Sequence, residues 1–94
     1  GQTCVCANRL LVQDGIYDHF VTRLEKAVAE LVVGNGLDER VTIGPLIDGS
    51  AVSKVEEHVQ DALAKGARIV TGGQRAALGG NFFEPTILAD ATRD

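Results

Sequence analysis

Methionine and tryptophan are both missing from this 94-residue chain, and its only aromatic residues are Tyr17, Phe20, Phe82 and Phe83. Any core must therefore be assembled from Val, Leu, Ile and Ala. Positive charge is also scarce: nine Lys and Arg stand against thirteen Asp and Glu, a net charge of -4. No Lys/Arg cluster interrupts that balance, which argues against nucleic acid as a partner. No apolar run approaches the ~20 residues needed to cross a bilayer, and no charged-then-apolar stretch opens the chain, so no membrane partner is expected. The two cysteines, Cys4 and Cys6, are one residue apart and have no third to pair with. That excludes a secreted disulfide framework and makes an intracellular, cytoplasmic setting with reduced thiols the expectation. With Gly1 first and no Met anywhere, the chain is expected to be a piece of something longer.

What remains is ordinary globular composition, 45% hydrophobic and 23% charged, enough for one small domain or part of one. Residues 9–13 (Arg-Leu-Leu-Val-Gln) have the pattern of a short buried strand, stopped by Asp14 and Gly15, with Asp14 available to cap a helix. From 16 to 31 the apolar positions 16, 17, 20, 21, 24, 27, 28 and 31 form one continuous helical stripe. Gly34, Gly36 and Asp38 end that helix and begin a connector to about Asp48. A second amphipathic helix is predicted from 50 to 65, with Val52, Val55, Val59, Ala62 and Leu63 on one face and Gly66 just past its end. Residues 67–71 form a strand, 74–81 a loop, and 82–88 an extended segment that Pro85 makes an edge or irregular strand. The fold class expected is α/β, two amphipathic helices packed on a small sheet of about three strands, in a single partial domain spanning 1–94. Sheet edges left open attract other chains, so the piece in isolation is expected to be marginal or self-associating.

Chemistry has few places to reside. A cysteine is the strongest latent nucleophile here, and Cys4 lies among small residues where a backbone N–H can reach a developing oxyanion. Equally, Cys4 and Cys6 can be two small buried hydrophobes. A metal site needs more ligands than the pair supplies, and no zinc spacing links His19 or His58 to it, so no metal is expected. His19 lies opposite the apolar stripe of the first helix and His58 at the margin of the second, and both read as solvated residues. Gly34-Asn35-Gly36 and Gly72-Gly73 lack the strand–glycine–helix order of a dinucleotide loop. The neighbouring Glu56 and Glu57 point different ways from their helix and form no carboxylate dyad.

Gly1-Gln2-Thr3-Cys4, with Ala7 and Arg9, resembles the active-site cysteine signature of the aldehyde dehydrogenase family. Residues 1–9 (GQTCVCANR), 42–48 (TIGPLID) and 80–88 (GNFFEPTIL) are similar to its bacterial succinate-semialdehyde branch, and the resemblance covers nearly the whole chain. It implies a parent with a Rossmann-like cofactor domain, a catalytic α/β domain and an oligomerising arm, this chain being the central part of the catalytic domain. It implies Cys4 as nucleophile toward a small semialdehyde, NAD or NADP as cofactor bound mainly outside these residues, and a homo-oligomer. The second oxyanion donor, the water-activating glutamate and the substrate-gripping arginine would belong to the rest of the parent chain. Lys54 falls where relatives carry a lysine that touches a cofactor ribose, though as a surface lysine it needs no such role. The resemblance also implies a redox partnership of Cys6 with Cys4. Residues i and i+2 of an extended strand lie about 6.6 Å apart, close to the ~6.8 Å upper limit for a disulfide, so a bridge requires local bending. The alternative reading is a non-catalytic, self-associating α/β module whose Cys-x-Cys pair is redox-active or binds metal.

Overall fold

The computed structural model describes residues 2–94. A single 3-10 turn, Asp14–Ile16, leads into helix α1, Tyr17–Ala29. Helix α2 spans Gly49–Ala64, strand β1 Arg68–Thr71 and strand β2 Ile87–Ala89. The α/β character and both helices agree with the sequence reading, and the sheet has two antiparallel strands where about three were expected. Arg68 pairs with Ala89, Ile69 with Leu88 and Thr71 with Ile87, with an irregularity between Ile69 and Thr71. The expected third strand, residues 9–13, joins no ladder with any described residue, and Leu11 is 97% exposed. A strand is stable only against a partner, because its backbone groups otherwise bond to water.

The core forms around α2, whose apolar face places Val52 and Val59 against Phe83, with Leu46, Val55, Leu63 and Leu88 packed around them. Asp48 caps its start, accepting from the Ala51 N–H at 2.8 Å, one of the helix's otherwise orphaned donors. At the other end the Gly66 N–H donates to Leu63 O and the Ala67 N–H to Ala62 O, at 3.1 and 3.0 Å. Those two bonds with Gly66 at φ 96° make the left-handed helix stop read from the sequence.

Helix α1 departs from expectation. Asp14 does not cap it: Asp14 lies inside the 3-10 turn, whose cap position is Gln13, and no side chain caps either element. No residue of α1 is fully buried, so its apolar stripe is not packed on the sheet as α2 is. One hydrogen bond ties it to the hairpin, the Asp90 N–H donating to the Tyr17 hydroxyl at 2.7 Å. Asp90 holds φ 59° and its carboxylate accepts from Arg68 Nε at 2.8 Å. The connector between the helices is ordered by its own bonds: Gly34 N–H to Ile43 O and Thr42 N–H to Val32 O, at 3.0 and 2.8 Å. It is joined to the loop before β2 by the Leu46 N–H, which donates to Asn81 O at 2.8 Å.

Candidate active site

Residues 3–6 form a β-turn, closed by the Cys6 N–H donating to Thr3 O at 3.3 Å. Cys4 and Val5 occupy its central positions, and both cysteines are free thiols exposed to solvent. Neither cysteine packs into the core that the described residues form. Thr3 Oγ1 and Cys6 Sγ lie 3.3 Å apart. The Thr3 hydroxyl donates to the thiolate form and holds the Cys6 thiol below its ordinary value. Among the described residues nothing accepts from the Cys4 N–H, which leaves that donor available to an oxyanion formed beside its own side chain.

Next to the turn, Gln2 contributes to a groove of about 490 Å³ whose walls include Thr42, Pro45, Leu46, Phe83 and Pro85. The connector and the segment before β2 make these walls. Lys54 does not line this groove. It stands on the solvent side of α2, its Nζ 4.0 Å from Glu57 Oε2. The structure thus does not bring Lys54 and Cys4 to one cavity of the described residues. His19 and His58 are exposed. Among the described residues no group of three or more His, Cys, Asp and Glu side chains converges to hold a metal ion.

Glu56 and Glu57 diverge, as their adjacent helical positions require. Glu56 makes a two-point ion pair with Arg75, Oε1 accepting from Nε at 2.6 Å and Oε2 from Nη2 at 3.0 Å. This fastens the loop after β1 to α2. The partners are 19 residues apart, so no local pattern in the sequence announces them. The Arg75 guanidinium holds the Glu56 carboxyl below the usual carboxylate range. A depressed native value stabilises the fold above the unfolded Glu value of about 4.3, and that contribution is lost as pH falls through the native value. Solvent reaches both side chains and screens the pair, so the effect is small. Glu56→Gln is therefore expected to lower the melting temperature slightly at neutral pH, and the deficit to close in acid. A deficit of constant size across that range contradicts the assignment.

An exposed thiol thus stands on a two-bond turn beside a groove in a small α/β unit. The aldehyde dehydrogenase family model matches residues 1–94. The glutarate-semialdehyde dehydrogenase of Pseudomonas aeruginosa is 65% identical over 94 residues, covering 100% of this chain and 20% of that protein. The NADP-dependent succinate-semialdehyde dehydrogenase of Escherichia coli is 67% identical over 90 residues, covering 96% of this chain and 19% of that one. A crystal structure of an NADP-dependent enzyme from Escherichia coli superposes with a TM-score of 0.95 at 64% identity, covering 98% of this chain and 19% of its own. The chain belongs to the aldehyde dehydrogenase family, a family of enzymes, and spans about a fifth of the length of these relatives. The expectation of a piece of something longer agrees with that coverage.

Proposed function

We propose that these 94 residues are the catalytic-cysteine segment of an NAD(P)-dependent succinate-semialdehyde dehydrogenase, drawn from the central part of its catalytic domain. The observation that carries the reading is the exposed Cys4 thiol at the head of the turn at 3–6, in a chain 67% identical to a succinate-semialdehyde enzyme. The Cys4 thiolate adds to the aldehyde carbon, the carbonyl π electrons move to oxygen, and the product is a thiohemiacetal oxyanion beside the Cys4 N–H. NAD or NADP, when bound, would supply the hydride acceptor that turns the thiohemiacetal on Cys4 into a thioester. Water then adds to the thioester carbon, the C–S bond breaks, and the carboxylate departs as the thiolate is regained. Aldehyde, water and oxidised dinucleotide thus become carboxylate, reduced dinucleotide and two protons.

The fit of these residues to a dinucleotide is confined to Lys54, whose exposed ammonium can donate to a ribose hydroxyl. No described residues form the glycine-rich strand–loop–helix that cradles a pyrophosphate. The remaining contacts belong to the rest of the parent chain, which on this reading assembles as a homo-oligomer in the cytoplasm. Isolated, the 94 residues lack hydride acceptor, water activation and positioning, and are expected to give no aldehyde-dependent NAD(P)H. Cys6 serves as redox partner: peroxide oxidises the two thiols to a Cys4–Cys6 disulfide and is reduced to two waters, silencing the nucleophile. The turn supplies the bending that an extended strand does not, and the bridge is reducible by dithiothreitol. Equal recovery by dithiothreitol with and without Cys6→Ala rules this switch out.

The test of substrate class uses the full-length parent with succinate semialdehyde, glutarate semialdehyde and an uncharged aldehyde of matching length. Loss of the distal carboxylate is expected to lower kcat/KM at least about a hundredfold, since a site built for a charged group is left with unpaired partners. An uncharged aldehyde oxidised as efficiently as the semialdehydes contradicts the assignment.

A further inference from the structure

We propose that Thr3 is a positioning residue for the nucleophile turn, clamping Cys6 at two points so that the Cys4 thiol between them is held in one direction. The inference rests on the reading of Cys4 as nucleophile and adds a residue to it. Thr3 O accepts from the Cys6 N–H, and Thr3 Oγ1 meets Cys6 Sγ, both at 3.3 Å. One residue thus holds its partner through main chain and side chain, and the four-residue loop is closed twice. No described residue packs on the turn: residues 2 to 11 are exposed among the described residues, Val5 at 87%. Among the described residues, 2–12 make no other hydrogen bond. Among the described residues these two contacts are what close the turn that carries Cys4.

The residue type suits the task. A β-branched side chain has few χ1 choices, so the Thr3 hydroxyl is pre-aimed at the position of Cys6 Sγ. The same contact directs the Cys6 sulfur onto a hydroxyl, leaving Cys4 as the thiol free to meet an aldehyde. The lowered Cys6 value agrees with that geometry, because the Thr3 hydroxyl is its leading cause.

The experiment compares Thr3→Val, which keeps the shape and removes the hydroxyl, with Thr3→Ser, which keeps the hydroxyl, in the full-length parent. Two quantities are measured: kcat and KM for succinate semialdehyde, and the iodoacetamide rate of Cys6 against pH, read by mass spectrometry in a Cys4→Ala background. Thr3→Val is expected to lower kcat about tenfold or more with little change in KM, as misdirection of a nucleophile does. It is also expected to move the Cys6 alkylation profile to higher pH. Thr3→Ser is expected to restore both. Wild-type kcat in Thr3→Val, an unmoved Cys6 profile, or Thr3→Ser as impaired as Thr3→Val overturns the proposal. Full turnover in Cys4→Ala alone sinks the nucleophile reading instead, and the Cys6 profile still reports on Thr3.

Discussion

Cys4→Ala in the full-length parent is expected to lower kcat for semialdehyde oxidation by at least about a thousandfold, because removing a covalent nucleophile leaves only binding and oxyanion stabilisation. The scale follows from the chemistry. On the proposed mechanism the whole pathway runs through a bond between Cys4 Sγ and the aldehyde carbon, and no other described side chain near the turn can replace it. Cys6 is three-point evidence against substitution: it is two residues on, its sulfur is engaged by Thr3, and its direction is set by that contact. Cys6→Ala removes the same Thr3 contact and is accordingly expected to lose about as much as Thr3→Val, roughly tenfold, and far less than Cys4→Ala. Cys4→Ser is expected to behave like Cys4→Ala, since a hydroxyl is hardly ionised at neutral pH whereas a thiol is partly thiolate. Steady-state kinetics on the three variants checks this. Comparable losses in Cys4→Ala and Cys6→Ala count against the assignment of roles.

Gly72→Ala is expected to be the most damaging single change in the hairpin. Gly72 has φ 72°, where a non-glycine residue costs roughly 1–2 kcal/mol. The space is also occupied: a Cβ there meets the carbonyl oxygen of Pro85 and lies 2.7 Å from Thr86 Oγ1. Neither neighbour yields easily. Pro85 O is backbone, and Thr86 Oγ1 accepts from the Gly73 N–H at 2.8 Å while donating to Glu84 O at 2.7 Å. Strain and overlap together reach about 3 kcal/mol or more, which is about a hundredfold in the local opening equilibrium. Gly66→Ala supplies the control, with φ 96° and open space around its Cβ, so it carries only the backbone strain. Amide hydrogen exchange of Arg68–Thr71 and Ile87–Ala89 is expected to accelerate strongly in Gly72→Ala and little in Gly66→Ala. Equal effects of the two remove the steric argument.

How much of this was legible in the sequence depends on the range of the interaction. Helix α2 was readable because its signals are local: the apolar spacing of Val52, Val55 and Val59, and Gly66 at the stop. Gly72-Gly73, which lacks the order of a dinucleotide loop, leaves β1 with positive φ at both glycines. Residues 9–13 have the composition of a strand, yet composition does not supply a neighbouring strand, and none of the described residues pairs with them. Asp14 misled for a related reason. An acidic residue before a helical stripe is a good cap only if the helix begins just after it, and here a 3-10 turn intervenes. Arg75 and Glu56, and Asp90 with Tyr17, are long-range pairs that no periodicity encodes. For the proposed site, Cys4 stands out by residue type and by family resemblance. The Thr3–Cys6 contact was open to discovery, since three residues is the span of a β-turn, but small polar residues without a period gave no reason to fold the segment there.

Rapid quenching of the full-length enzyme during turnover of succinate semialdehyde with NAD(P), followed by proteolysis and mass spectrometry, goes straight to the covalent step. The peptide carrying Cys4 should gain the mass of a succinyl group, and hydroxylamine should remove it as it does a thioester. Product formation with an unmodified Cys4 peptide, or with the acyl group on another residue, would show that the chemistry takes place elsewhere.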